Sequence, residues 1–417
     1  MAMEPLVFHI DVNSAFLSWE SVYRLSVDPD CLDLRTVPAA VGGDAATRHG
    51  IVLAKSTPAK KYGITTGEPL SQALRKCPSL LVVPSRFDVY IQYSDRLMNL
   101  LSDYTPDIEK FSIDEAFLDM TSTIHLFGEP VAAANEIRER IHRELGFTVN
   151  IGIAPNKLLA KMASDFKKPD LCHTLYPEEI PTKMWPLPVR ELFSVGRSAQ
   201  KKLEGIGIRT IGQLAASSVD LLKSLLGEKY AIMIHEYALG IDPSPVAERE
   251  PVNKGYGNMT TLSRDVDDFD TAFLVILSLC ETVGARLRAD RVQCDCICVE
   301  IKDQEFRMQS HQMTLNSPTD STAVIYENAC RLLKDFWDRK PLRLIGVRAT
   351  KISDDSFSQM SLFESEQTRK MKEMEMAVDQ IRSRFGTDII KRASFLSRDA
   401  IVDHASGKAK HLKKKEE

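Results

Sequence analysis

The feature that most restricts the fold of this 417-residue chain is the order of the elements predicted up to residue 154. Apolar periodicity predicts a strand, two helices, two strands with almost nothing between them, another helix and another strand. In chain order these are Leu6–Asp11, Ala15–Leu25, Phe87–Tyr104, Ile108–Ile113, Ala116–Met120, Val131–Leu145 and Phe147–Ala154. This is the split β-α-β-β-α-β order with extra material in the first crossover, and it predicts an α+β fold.

The same order of elements returns near the end of the chain, which indicates a multidomain protein. The predicted elements are strand Tyr256–Leu262, helix Thr271–Ala289, strands Val292–Ile301 and Glu305–Leu315, helix Thr319–Trp337 and strand Leu342–Ile352. The two series predict the same topology, although they share no obvious sequence identity. A further helix is predicted over Met371–Phe385.

Between the two series lies a helical region, roughly Val189–Leu239, with a glycine-rich junction. Gly205 and Gly207 separate two helical patterns, and Thr210 with Gln213 forms a capping box for the second. Two helices joined by glycines are more often a packing motif, but such a junction can also expose backbone N–H groups to a phosphate. The neighbouring cations favour a helix-hairpin-helix that binds DNA; they are Arg197, Lys201, Lys202 and Arg209.

Composition excludes several classes of protein. Apolar residues make up 43% and charged residues 27% of the chain, which is an ordinary globular mixture. No run of about 18 uncharged apolar residues predicts a membrane span. The first ten residues lack the pattern of a secretory signal, so we expect a cytoplasmic protein. The formal net charge is −4, so any DNA binding must use local basic patches.

Three carboxylates are predicted to meet at one edge of the first sheet. In a split sheet the first and second strands run in the same direction with the third between them. Asp11, which ends strand one, therefore shares an edge with Asp114 and Glu115, which lie in the turn between strands two and three. Each acid alone is better explained as a strand-end or turn residue, but their shared edge favours a metal site.

The chemistry of these three acids predicts Mg²⁺. Like charges this close repel in a desolvated cleft, and no cation evident in the sequence lies nearby to neutralise them. Oxygen ligands without histidine or cysteine favour Mg²⁺. Two such ions could activate an attacking hydroxyl and stabilise a leaving oxygen.

Three ordered segments strongly resemble the Y-family translesion DNA polymerases, in particular the bacterial DNA polymerase IV branch. They are Phe8–Phe16, Ser112–Asp119 and Asn150–Lys161, and the match continues through Phe166–Asp170 to about Leu396. The resemblance implies a palm at residues 1–20 and 75–170, small fingers at 21–74, a helical thumb at 171–240, a linker at 241–254, a C-terminal little finger at 255–353 and a polar tail at 354–417.

The resemblance also implies roles for single residues near the acids. Asp11 and Asp114 match the aspartates that hold two metal ions, Glu115 matches the third catalytic carboxylate, and the backbone carbonyl of Val12 matches an additional ligand. Phe16 stands at the steric-gate position, where an aromatic ring would clash with the 2′-OH of a ribonucleotide. Lys168 matches a lysine that contacts the incoming triphosphate.

The chain departs from the family pattern within the segment Lys55–Gly63. Thr57 stands where tyrosine is common, and Lys60 stands where the family often has arginine. Lysine lacks the bidentate fork of arginine, so the details of triphosphate binding stay open. Asn13 replaces a frequent second aspartate, but it does not alter the set of three carboxylates.

Two further regions are expected to contact partners. Arg307, Gln309 and His311 alternate onto one strand face and would follow DNA phosphates, although a solvated sheet face explains them equally well. The peptide Gln359–Phe363 resembles the segment by which bacterial polymerases dock on the sliding clamp, with Gln359, Leu362 and Phe363 as contacts. The alternative is that this peptide folds back on its own domain.

The sequence therefore predicts a template-directed, low-fidelity translesion polymerase that adds deoxynucleotides to a primer 3′-OH with two Mg²⁺ ions. The sequence contains no second cluster of carboxylates that would suggest a proofreading exonuclease, so we expect no proofreading. The expected partners are primer–template DNA, deoxynucleoside triphosphates and a sliding clamp, with no membrane, and the protein is expected to be a monomer.

Two other functions compete with this prediction. A non-catalytic DNA-binding relative would be expected to lack a carboxylate, and all three are present. A nucleotide cyclase is suggested by Gly42-Gly43-Asp44, but that motif precedes a fingers-like strand instead of lying on the acidic hairpin.

Overall fold

The structure is a computed structural model that describes residues 4–43, 50–246, 253–354, 366–387 and 389–395. The chain divides into two compact units, one formed by 1–43 and 51–250 and the other by 44–50 and 251–417. In the described part of the chain, no helix has both the length and the apolar composition needed to cross a membrane. Gln359, Leu362 and Phe363, the predicted clamp contacts, lie outside the described residues.

The first unit contains eight strands and ten α-helices among its described residues. They are β1 (Val7–Val12), α1 (Ala15–Val27), β2 (Ala39–Gly42), β3 (Val52–Lys55), α2 (Thr57–Lys60), α3 (Leu70–Lys76), β4 (Leu81–Pro84), α4 (Phe87–Leu101), β5 (Ile108–Lys110), β6 (Glu115–Asp119), α5 (Pro130–Leu145), β7 (Val149–Ala154), α6 (Lys157–Ser164), β8 (Cys172–Thr174), α7 (Arg197–Gly205), α8 (Ile211–Ala215), α9 (Val219–Leu226) and α10 (Glu228–Ala238).

The central sheet of this unit has the order β5-β6-β1-β7-β8. Strand β6 is antiparallel to both β5 and β1, which confirms the predicted arrangement of the first three strands. Strand β7 is antiparallel to β1, and the unpredicted strand β8 extends the sheet in parallel with β7. The predicted topology therefore holds, and it gains one short edge strand.

Alternate side chains of the sheet enter two different cores. Phe8, Ile10 and Leu118 pack in the core that also contains buried residues of α1, α4 and α5. Val7 and Phe117 instead join the core that contains α6 and the helices from α7 to α10. Asp11 and Glu115 are separated from Val7 and Phe117 by even numbers of residues, so they lie on the α6 side of the sheet.

Gly152 allows α6 to pack directly on β7. A Cβ atom at this position would lie 1.8 Å from the carbonyl oxygen of Ala160 and 2.6 Å from the backbone nitrogen of Ser164. We therefore expect Gly152→Ala to destabilise the unit by about 3 kcal/mol, because two backbone segments must separate. Thermal unfolding measures the effect, with Gly205→Ala as the control, since nothing lies within 4 Å of its added Cβ. Equal melting temperatures for the two variants would contradict this packing.

A three-stranded sheet, β3-β2-β4, lies in the material inserted in the first crossover. Each strand has only four residues, so hydrophobic periodicity did not reveal them. Strand β4 pairs in parallel with β2, and the fingers boundary predicted after residue 74 falls inside α3. Gly42 ends β2, so the Gly-Gly-Asp motif begins on this sheet and away from the acidic hairpin.

The predicted helix-hairpin-helix is formed by α7 and α8. Thr210 Oγ1 accepts from the backbone nitrogen of Gln213, whose side chain accepts from the backbone nitrogen of Thr210, so the capping box is present. Gly207 has φ +88° and requires glycine, whereas Gly205 ends α7 in an ordinary conformation.

The second unit contains β9 (Gly255–Val266), α11 (Phe269–Ala289), β10 (Val292–Asp303), β11 (Met308–Thr319), α12 (Thr322–Phe336), β12 (Leu342–Asp354) and α13 (Glu366–Phe385). The order of elements is the predicted one. The sheet order is β11-β10-β12-β9, with every neighbouring pair antiparallel. The prediction that both units share one topology is therefore wrong, because the fourth strand here lies between the second and the first.

Helix α13 is attached to the second unit by charged side chains. Glu375 is 3% exposed, and its carboxylate accepts from the backbone nitrogens of Thr322 and Ala323 at the start of α12. Arg288 forms ion pairs with Glu375 and with Asp379. The helix predicted over Met371–Phe385 is confirmed, and it begins earlier, at Glu366.

Candidate active site

The three predicted acids lie at one edge of the central sheet, here called the acidic edge (Asp11, Asp114 and Glu115). Asp11 is directly opposite Glu115 in the antiparallel pairing of β1 with β6. The backbone nitrogen of Val12 donates to the carbonyl oxygen of Asp114 at 3.1 Å. The tight turn before β6 is closed by Ser112, whose hydroxyl donates to Asp114 Oδ1 at 2.7 Å.

The chain bends sharply immediately after the acidic edge. Ser14 has φ 52°, in the left-handed region, and α1 begins at the next residue. Asn13 donates through its backbone nitrogen to the carbonyl oxygen of Thr148 at 3.0 Å, and its own carbonyl accepts from Ser18 Oγ at 2.6 Å. These bonds fix the path from β1 into the helix that carries Phe16.

Lys168 lies against the first acid of the edge. Its Nζ atom is 3.0 Å from Asp11 Oδ2 and 2.8 Å from Asp165 Oδ1. Burial disfavours the ammonium, but the charges of Asp11 and Asp165 outweigh it and raise the pKa of Lys168. Burial also raises the pKa of Asp11 to about 6, although Lys168 opposes this change.

Glu115 is held by two groups on the α6 side of the sheet. Its Oε2 atom is 2.5 Å from Lys161 Nζ and 3.5 Å from His9 Nε2. Burial opposes ionisation, but the contacts with His9 and Lys161 prevail and lower the pKa of Glu115 to about 2. The prediction that no cation lies near the acids is therefore wrong, because Lys168 and Lys161 both contact them.

The chemistry of the acidic edge fits a hard divalent cation. Carboxylate oxygens are the ligands that Mg²⁺ prefers. Asp11 is only 9% exposed, and burial raises its pKa although Lys168 lies beside it. No cation contacts the Asp114 carboxylate within the described ranges. In those ranges no three His, Cys, Asp or Glu side chains are gathered as a metal-binding cluster. Lys168 contacts Asp11, and Lys161 contacts Glu115.

Phe16 belongs to an aromatic cluster at the start of α1. Its ring stacks on Tyr90 with centroids 5.1 Å apart and an interplanar angle of 16°. Phe87 meets it edge-on at 5.6 Å, and Trp19 lies 6.1 Å away. The ring is half-buried, so its position is fixed while one part stays accessible.

Thr57 and Lys60 lie on α2, and both side chains are exposed. Ser56 caps this helix by accepting from the backbone nitrogen of Ala59. Burial and the nearby charge of Lys60 together lower the pKa of Lys55. Within the described residues, no hydrogen bond or ion pair joins α2 to the acidic edge.

His311 and Arg307, which were predicted to contact DNA from one strand face of the second unit, have other surroundings in the structure. His311 is opposite Val299, a buried core residue, and its ring stacks on Phe336 of α12 at 4.4 Å. It therefore lies on the helix-covered face. Arg307 precedes β11 and pairs with Glu305.

The other face of this sheet, here called the helix-free face because no helix of the described residues packs on it, carries polar residues that the sequence did not single out. Lys302 and Arg348 flank Glu300, and Arg348 forms an ion pair with it at 2.8 Å. Both cations occupy positions that alternate with those of the core residues, so they lie on the opposite face of the sheet from Val299 and Ile301. The alternation of side chains along the strand did not identify the helix-free face, since either set of alternating residues could have faced the helices.

Comparisons with known proteins agree with this architecture. Family models described as the impB/mucB/samB family and its C-terminal domain match residues 10–165 and 253–362. A model described as the thumb domain of DNA polymerase-iota matches residues 190–242.

Relatives match almost the whole chain. The DNA polymerase IV of Clostridium acetobutylicum is 46% identical over 397 residues, covering 95% of this chain and all of the relative. The DNA polymerase IV 1 of Bacillus subtilis is 36% identical, covering 94% of each chain. A solved Y-family DNA polymerase chimera aligns with a TM-score of 0.72 and 25% identity, covering 84% of this chain and 99% of the other. The chain therefore belongs to the Y-family DNA polymerases, in the group of DNA polymerase IV.

Proposed function

We propose that this protein is a translesion DNA polymerase that extends a primer on a template with two Mg²⁺ ions. The observation that carries the proposal is the pairing of Asp11 with Glu115, with Asp114 in the adjoining turn. Family membership supports a DNA-directed DNA polymerase that depends on a divalent metal. Asp11, Asp114 and the carbonyl of Val12 would hold the metal, with Glu115 completing the site. Bound Mg²⁺ would activate the primer hydroxyl and stabilise the leaving pyrophosphate.

The residues around the acidic edge would orient the incoming nucleotide. Lys168 reaches Asp11 from a position shared with Asp165, so its ammonium is available to a triphosphate that binds at Asp11. Thr57 and Lys60 are proposed as further triphosphate contacts from α2. The aromatic ring of Phe16, supported by Tyr90, would exclude a 2′-OH.

Primer extension tests the proposed function. Wild-type protein with Mg²⁺ and deoxynucleoside triphosphates should extend a primer only in the presence of a template, and should do so on both undamaged and abasic templates. Binding to primed template without any extension would favour the non-catalytic relative. Turnover of nucleotides without template or primer would favour a cyclase.

We also propose two DNA-binding surfaces. On the first unit, Gly205 ends α7, Gly207 lies two residues beyond it, and Lys201 is exposed in the middle of the same helix. On the second, Lys302 and Arg348 replace Arg307 and His311 as the proposed phosphate contacts, because they occupy the helix-free face. Two cations on a sheet face can follow phosphates without reading bases.

Salt-dependent DNA binding distinguishes the two faces of that sheet. Lys302→Ala and Arg348→Ala should each weaken binding and reduce the slope of log affinity against log salt by about 1. Lys334→Ala is the charge-matched control, because Lys334 lies over the Phe273 ring, on the helix-covered side of the sheet. If Lys334→Ala changes the slope as much as the other two variants, the assignment of the helix-free face is wrong.

The remaining properties are proposed from family membership. Low fidelity without proofreading, a monomeric state and a location in the bacterial cytoplasm are consistent with DNA polymerase IV relatives. The sliding-clamp contact through Gln359, Leu362 and Phe363 stays a prediction from the sequence. Pull-down with the clamp, comparing the wild type with Leu362→Ala, would test it.

A further inference from the structure

We propose that Lys161 is a positioning residue that holds the Glu115 carboxylate for the reaction, an inference that rests on the proposed function. Lys161 lies on α6 and is 8% exposed. Its Nζ atom is 2.5 Å from Glu115 Oε2. Glu115 is the only acceptor that this ammonium reaches within the described part of the chain.

The surroundings of Lys161 keep its ammonium directed at Glu115. The Nζ atom lies 5.1 Å from the centre of the Phe111 ring and 5.5 Å from that of Phe193. Aromatic faces attract a cation and at the same time exclude water from it. The carboxylate is therefore the hydrogen-bond partner of an ammonium that is otherwise flanked by aromatic rings.

His9 lies beside the same carboxylate oxygen inside the sheet. Its ring is fully buried, and its Nε2 atom is 3.5 Å from Glu115 Oε2. Its Nδ1 atom is 2.8 Å from Ser164 Oγ, which donates to the Lys161 carbonyl at 2.8 Å. Both contacts therefore use Oε2, and the other carboxylate oxygen has no protein partner among the described residues.

Lys161 and Lys168 have different environments, which points to different roles. Lys168 is shared between Asp11 and Asp165, and its side chain is 30% exposed. Lys161 is enclosed and binds one carboxylate. An enclosed ammonium with a single partner is poorly placed to bind an incoming triphosphate, so its effect on the reaction must pass through Glu115.

Phe193, the second of the two rings beside the Lys161 ammonium, connects the acidic edge to the helices from α7 to α10. Phe193 precedes α7, and its ring stacks on Tyr237 of α10 with centroids 6.4 Å apart. Helix α10 contributes to the same core as α6. The position of these helices therefore helps to define where Lys161, and through it Glu115, is held.

Single-turnover nucleotide addition on primed template tests this role. Lys161→Met should lower the maximal rate of addition by about 10–100-fold, while the apparent Kd for the nucleotide stays within about threefold. Lys161→Arg should recover part of the rate, because it restores a cation beside Glu115. Lys157→Met is the matched control: this lysine lies one turn earlier on α6, pairs with Glu109 and lies over the Phe117 ring.

A double-mutant cycle separates positioning from a general structural role. If Lys161 acts through Glu115, Lys161→Met should cost little further rate in the Glu115→Gln background. Additive losses, or an unchanged rate in Lys161→Met, would overturn the proposal, as would an equal loss in Lys157→Met. Should Lys161→Met fail to fold, Lys161→Gln replaces it with the same expectations. A wild-type protein that never extends a primer would instead overturn the proposed function.

Discussion

Asp114→Asn is expected to lower the rate of primer extension by about 10³-fold or more, because it removes a charge that the reaction needs and keeps the local fold. The asparagine Oδ1 atom can still accept the hydrogen bond that Ser112 donates to Asp114. The side chain is half-buried in a turn, so the melting temperature should change little. Single-turnover extension and thermal unfolding measure the two effects.

Asp119→Asn is the matched control for this variant. Asp119 ends the same strand, β6, four residues beyond Glu115, and its Oδ1 atom accepts from the backbone nitrogen of Thr121. Asparagine can also accept this bond, so extension should stay close to the wild-type rate. Equal rates for wild type and Asp114→Asn would remove Asp114 from the site.

Phe16→Ala is expected to relax discrimination against ribonucleotides by about 10²-fold, since the ring that would meet the 2′-OH is removed. Addition of deoxynucleotides should fall much less. The readout is the ratio of kcat/KM for a deoxynucleotide to that for the matching ribonucleotide, which corrects for any general loss of activity.

Phe16→Leu is expected to cause a smaller loss of discrimination against ribonucleotides. Leucine keeps part of the volume but cannot stack on Tyr90, so its discrimination should lie between those of the wild type and the alanine variant. If both variants discriminate as well as the wild type, another group must exclude the 2′-OH. If addition of deoxynucleotides and of ribonucleotides falls by the same factor, Phe16 supports the fold instead.

The meeting of Asp11 with Glu115 could be predicted because strand order determines which strand ends share an edge. The near absence of residues between the second and third predicted strands required a tight turn, and the helix before the second strand favoured its running in the same direction as the first. These are consequences of chain connectivity, and the sequence displays connectivity directly. The capping box at Thr210 could be predicted for the same reason, since it is local.

The lysines at the acidic edge could not be predicted from spacing. Lys161 reaches Glu115 only because Gly152 lets α6 pack closely on β7, a contact between distant segments. The face occupied by His311 depends on which side of the sheet α12 covers, and alternation alone leaves both sides open. The sheet order of the second unit likewise depends on pairing between distant strands.

The most direct test of the central claim is the crystal structure of a ternary complex with primed DNA, an unreactive deoxynucleotide analogue and Mn²⁺. Anomalous density should place the metal at the acidic edge, in contact with Asp11 and Asp114, with Lys168 turned to the triphosphate. Metal bound elsewhere, or Asp11 still paired with Lys168 and without a metal contact, would contradict the account.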